Sequence, residues 1–151
     1  MSKKHNKVNP PNVITRKKSY FGTYPTWSFA WFDFENNNWS FKEATDVDVI
    51  CTVLERLKAL ELQPWSKICN TTVENNSLHH EILIKDLSPV AIKRLKELNL
   101  TDQLSIFDDS LFSMRVNGSI RLWGVIDWNG LFKIIWFDPN HEVYKSTLRH
   151  T

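Results

Sequence analysis

The residues best suited to chemistry lie near the C-terminal end. Arg115, Arg121 and Lys133 sit within three apolar, β-like runs, LFSMRVN, SIRLWGVID and LFKIIWF, and His141, Glu142 and Tyr144 follow the last of them. Arg and Lys stabilise the charge on a pentacoordinate phosphate, while His and Tyr move protons, so this set has the parts of metal-independent phosphodiester cleavage. Arg121 and Trp123 are two apart and share a face of any strand that holds them. The same set also serves RNA binding alone, with arginines on phosphates and aromatics stacked on bases. A third reading pairs the arginines with acids on a solvated face and uses Tyr144 to close the core. Glu81, beside His79 and His80, is a second candidate for acid–base or metal work. In a strand His79 and Glu81 share a face and His80 takes the other.

Other chemistries are poorly served. The chain has no Gly-rich phosphate loop, no GxSxG and no HExxH. Only four glycines argue against a dinucleotide-binding fold. Cys51 and Cys69 have no CxxC spacing and no His at ligand spacing, which predicts free, buried thiols in a reducing compartment and no structural zinc. No cofactor is expected.

The elements that must position these residues are legible in order. The run WSFAWFDF, the Asn36-Asn37-Asn38 turn signal and a second WSF at Trp39 predict a β-hairpin over residues 26–42. Thr45 or Asp46 caps a helix whose apolar face is Val49, Ile50, Val53, Leu54, Leu57 and Leu60, ending before Pro64. One further turn is expected at Trp65–Cys69, then a loop over 70–77. His79–Lys85 reads as a strand, and Ser88-Pro89 opens a second helix that runs to about Leu98. A polar connection over 99–110 leads to the last segment. There Asn117-Gly118 and Asn129-Gly130 separate the three apolar runs, the signature of an antiparallel meander. The order hairpin, helix, strand, helix, meander has no βαβα alternation, so the expected class is α+β.

The 151 residues fit one domain, with 42% hydrophobic and 13% aromatic content, enough for a real core. Most of the seven tryptophans are expected in that core. Residues 1–19 carry six cations and no acid, so a flexible basic arm is expected ahead of a mildly acidic domain at 20–151. Such an arm supplies nucleic-acid affinity by counterion release, or serves only as a solvated tail. No apolar run approaches the roughly 20 residues of a membrane span, and no apolar stretch follows the N-terminal charges as in a secretory signal. A cytoplasmic protein without membrane contacts is expected.

From Asp46 to Tyr144 the chain resembles the RelE/ParE superfamily of small bacterial toxins, in which helices precede a sheet whose last three strands form a meander. The resemblance rests on Leu111-Phe112-Ser113-Met114-Arg115-Val116, Ile120-Arg121-Leu122-Trp123-Gly124-Val125, Phe132–Phe137 and the stretch from His141 to Tyr144. Residues 1–45 have no counterpart in the minimal toxins, and Glu142-Val143 separates the terminal His and Tyr. The resemblance implies a RelE-like sheet packed on the helices and a metal-independent endoribonuclease acting on RNA, ribosome-associated mRNA included. It implies Arg121 as the phosphate-stabilising arginine, His141 and Tyr144 as the proton-transfer pair, and Glu81 in the place of an earlier-strand base. Arg115, Lys133 and Trp123 would hold the substrate, and a cognate antitoxin would cover the site. The rival expectation is a non-catalytic module that binds nucleic acid or protein through the Trp-rich N-terminal segment and the basic arm. A third is an interaction protein with Trp31, Trp39 and Trp123 as an exposed patch.

Overall fold

Two Asn-Gly turns build the centre of the fold. In the computed structural model, which describes residues 15–43, 46–73, 76–77 and 79–145, Gly118 and Gly130 adopt φ of +50° and +85°. That left-handed region is open to glycine at little cost. The chain runs α1 (Arg16–Phe21), β1 (Thr26–Ser28), α2 (Val47–Leu60), α3 (Trp65–Cys69), β2 (Thr72–Val73), β3 (Asn76–Ser77), β4 (His79–Leu83), α4 (Pro89–Glu97), α5 (Thr101–Leu104), β5 (Ser110–Asn117), β6 (Ile120–Ile126) and β7 (Leu131–Asp138). Strands β4 to β7 pair antiparallel in the order β7-β6-β5-β4, and β1 adds to the β7 edge in parallel. The mixed α+β class and the C-terminal meander match the sequence reading.

Helices cover both faces of this sheet. On the first face Val53, Leu57 and Leu60 of α2, Tyr20 of α1, and Trp65 and Ile68 of α3 pack against Phe112, Met114, Leu122, Phe132 and Phe137. On the second, Ala91 and Leu95 of α4 and Leu104 of α5 pack with Leu111, Trp123, Val125, Ile135 and Trp136. Caps set where the two long helices start. The Asp46 carboxylate accepts from the Asp48 amide (2.9 Å) and the Ser88 hydroxyl from the Ala91 amide (3.3 Å), with Pro89 at the first helical position. Thr45, the alternative cap, lies outside the described residues.

A bulge reconciles the two cores. Trp123 pairs with Trp136 but Gly124 pairs with Ile134, so Ile135 is an extra residue in β7. It lets Ile135 and Trp136 both face the second core while Ile134 and Phe137 face the first. The strands approach so closely there that a side chain on Gly124 would collide with the Lys133 carbonyl.

The hairpin expected over residues 26–42 is not formed. Only Thr26–Ser28 is strand, and it pairs in parallel with Leu131–Lys133. The aromatics beyond it cannot alternate as a strand, because they are shared between both cores. Phe32 enters the first core, while Trp39 enters the second with Trp31 against it. The segment still follows the β7 edge: the Asp33 amide donates to the Ile135 carbonyl and the Phe137 amide to the Trp39 carbonyl. Asp33 anchors it, and its buried carboxylate accepts from Arg94 Nε (2.8 Å), Arg94 Nη2 (2.6 Å), Trp136 Nε1 (3.0 Å) and Asn36 Nδ2 (3.2 Å).

The basic arm expected over residues 1–19 ends earlier than that. Lys3, Lys4 and Lys7 lie outside the described residues, but Arg16, Lys17 and Lys18 belong to α1. Arg16 is buried because its guanidinium finds the Ile126 carbonyl (2.9 Å), Glu81 (2.6 Å) and Asp108 (3.2 Å). The cysteines also differ from expectation. Cys51 is exposed on α2, and Cys69 is half-buried, its thiol pushed up to about 11 by burial. Trp39, Trp65, Trp123 and Trp136 are core residues, so the patch expected of Trp31, Trp39 and Trp123 does not exist.

Candidate functional site

Arg115 and Arg121 stand directly opposite each other across β5 and β6, with Asp138 next in the same cross-strand row. Strand alternation places this row on the second face, past the last residues that α4 and α5 cover. Like charges opposite each other cost up to about 1 kcal/mol. Among the described residues neither arginine has a carboxylate within ion-pair distance. Arg121 Nη1 donates to the Gly118 and Ile120 carbonyls (2.6 and 3.1 Å), which folds its guanidinium over the β5–β6 turn. Burial and the neighbouring Arg115 charge hold its pKa below the usual arginine value, against the opposing pull of Asp138.

Asp138 gives this corner its shape. It is fully buried, and its two oxygens accept from the Glu142 amide (2.9 Å), the Val143 amide (3.0 Å) and Trp123 Nε1 (3.2 Å). Those bonds curl the chain after β7 back over the end of the sheet. His141 takes a positive φ of 56° in that turn and comes within electrostatic range of Arg121, Asp138 and His80. Burial, and then the Arg121 charge, lower the His141 pKa. Its ring is therefore neutral at pH 7 and able to accept a proton. The sequence reading took Asp138-Pro139-Asn140 for a turn signal alone. An acid followed by backbone amides that need an acceptor was the signal that it missed.

On the opposite face, His79 stacks on Phe112 at 6.2 Å and its Nδ1 accepts from the Arg115 amide (3.2 Å). This places the ring proton on Nε2. Burial, with smaller contributions from Arg56, His80, Arg121 and Arg115, pushes its pKa down to about 4. His79 is thus a neutral residue that aligns β4 with β5. Its folded pKa lies below the ordinary histidine value, so acid favours the unfolded chain, which takes up the proton first. Stability is expected to fall by roughly 3 kcal/mol between about pH 6.5 and pH 4 from this residue. Urea unfolding across that range should show the loss, and His79→Gln should flatten it.

The remaining expected site residues are placed apart from the corner. Trp123 is fully buried under the second core and donates to Asp138, so it cannot touch a substrate. Lys133 pairs with Val125, four residues along β6 from Arg121 and so about 13 Å away. Its ammonium lies 4.5 Å from the centre of the Trp31 ring. Glu81 is on the first face and held by Arg16. Tyr144 is half-buried and packs against the second core. The structure therefore brings together Arg115, Arg121 and His141, adds Asp138 and His80, and leaves Trp123, Lys133 and Glu81 outside. Among the described residues no group of His, Cys, Asp and Glu is arranged to hold a metal ion. No helix among them is long and apolar enough to cross a membrane.

No protein-family model matches the chain, and neither a curated protein nor a solved structure matches it.

Proposed function

We propose that this chain is a toxin-like RNA-binding protein that holds a backbone phosphate at the Arg115–Arg121 corner and cleaves there as a metal-independent endoribonuclease of RelE type. The observation that carries the reading is the pairing of two arginines without a carboxylate partner beside a neutral histidine. An anion between the guanidinium groups relieves their repulsion and gains charge-assisted hydrogen bonds. Cleavage then needs the ribose 2′-hydroxyl to attack the adjacent phosphorus while His141 takes its proton. The P–O5′ bond breaks, leaving a 2′,3′-cyclic phosphate and a 5′-hydroxyl. Arg121 and Arg115 stabilise the pentacoordinate phosphate. Tyr144, three residues beyond His141, is the side chain for the leaving oxygen's proton. Ribosome-bound mRNA as substrate, a cognate antitoxin over the corner and a cytoplasmic setting belong to the same proposal.

Binding without cleavage is the second reading, and the packing of Tyr144 against the second core favours it. Single-stranded RNA incubated with the purified protein in a chelator distinguishes the two. Under the first reading the wild type produces cyclic-phosphate ends. Arg121→Ala and His141→Ala each lose about 100-fold in rate, and His141→Ala still binds. A wild type that binds but does not cut supports the second reading, and one that does neither ends both.

A further inference from the structure

The outer side of α2 carries an apolar stripe that nothing in the chain covers. Val53, Leu57 and Leu60 turn inward to the first core, which fixes the rotation of the helix. Val47, Cys51 and Leu54, at i, i+4 and i+7, then fall together on the outside. Val47 is 69% exposed and Leu54 57%, and Cys51 is exposed between them. The charges beside the stripe are graded along the helix. Asp46 and Asp48 sit at its start and Lys58 near its end, all exposed. Among the described residues none of these three makes an ion pair.

We propose that this stripe joins two copies of the chain through an antiparallel, two-fold pairing of α2. Such an interface is self-complementary, since each patch meets its own copy reversed. With the axis between Cys51 and Leu54, Leu54 of one copy lies against Cys51 of the other, and Asp48 of each meets Lys58 of the other at both ends. A parallel pairing would set acid against acid and base against base. The helix is only about 21 Å long. The contact is therefore smaller than the ~800 Å² per partner of a standard interface, and the dimer is weak, with Kd in the micromolar range or above. The stripe lies on the first face and leaves the arginine corner open, so this dimer and RNA binding are independent.

Sedimentation equilibrium of the full chain up to about millimolar concentration provides the test. Expected are a monomer–dimer equilibrium, a Kd at least ~10-fold higher for Leu54→Lys and for Lys58→Asp, and recovery towards the wild-type Kd in the Asp48→Lys/Lys58→Asp double variant. A bis-maleimide should bridge Cys51 between copies of a Cys69→Ser variant, and Leu54→Lys should abolish the bridge. All these positions except Cys69 are exposed, and unfolding curves confirm that each variant is folded. A chain that stays monomeric throughout, or a dimer indifferent to Leu54→Lys or not recovered by the charge exchange, overturns the proposal. Association that needs residues 1–14 overturns it in favour of that segment as the occupant.

Discussion

Arg94→Met is expected to destabilise the fold by about 3–5 kcal/mol, because it strips a buried carboxylate of its only cation. Asp33 is 3% exposed and receives both arms of the Arg94 guanidinium. Methionine keeps the stem that packs on α4 but leaves Asp33 with Trp136 and Asn36 alone. The loss should lower the melting temperature by roughly 10 °C in a domain of this size. Burial by itself raises the Asp33 pKa, but the hydrogen bonds from Arg94, Trp136 and Asn36 outweigh it and the net shift is downward. A carboxylate with a depressed folded pKa contributes stability above the ordinary carboxylate range and loses it as pH falls through the folded value. Without Arg94 burial dominates, and the variant takes up a proton near Asp33 more easily. The gap between wild type and variant should therefore narrow below about pH 4. Urea unfolding at pH 7 and pH 3.5 measures both quantities. A gap under 1 kcal/mol, or one equal at the two pH values, would show that Arg94 does not hold a charged Asp33.

Replacing Arg115 and Arg121 together by alanine should weaken binding of single-stranded RNA about 10- to 100-fold at low salt. Two lost phosphate contacts should also reduce the slope of log K against log salt by about 1.4. Lys133→Ala serves as the comparison, since Lys133 is held over Trp31 some strand-lengths from the corner. It should change neither quantity by more than a fraction of these amounts. Fluorescence anisotropy across a salt series decides the matter. If the double variant binds as the wild type does, with the same slope, phosphate is not held at this corner. The substitutions themselves should be well tolerated, because they remove a like-charge cross-strand pair without orphaning a carboxylate partner.

The local chemistry of the chain was enough to place its long helices and its meander. Asp46 ahead of the Val53–Leu57–Leu60 periodicity, Ser88-Pro89 ahead of α4, and the two Asn-Gly turns are signals whose hydrogen-bond partners lie within a few residues. They act before any tertiary contact forms, and the strands and helices that they predicted are present. The run WSFAWFDF failed as a strand predictor for the opposite reason. Its aromatics satisfy β propensity locally, but Phe32, Asp33 and Trp39 are claimed by partners about a hundred residues away or on other layers.

The candidate site divides along the same line. Residue types near the C-terminus pointed to Arg115, Arg121 and His141, and the strand register sets two of them face to face. Trp123 shares the face of Arg121 as its spacing required, yet that face is covered by α4 and α5 where Trp123 lies and open where Arg121 lies. Alternation along a strand fixes which way a side chain points, not how far a helix extends over it. Asp138 acquired its role only when the chain after β7 folded back and left the Glu142 and Val143 amides in need of an acceptor. Arg16, part of a basic run by composition, became a core residue because Glu81, Asp108 and the Ile126 carbonyl converge on it from three other segments. The sequence by itself determined the elements and the inventory of charged groups, since both are properties of neighbouring residues. Which of those groups are buried, paired or left facing solvent was decided by tertiary packing, because burial and pairing depend on segments that the chain brings together only when folded.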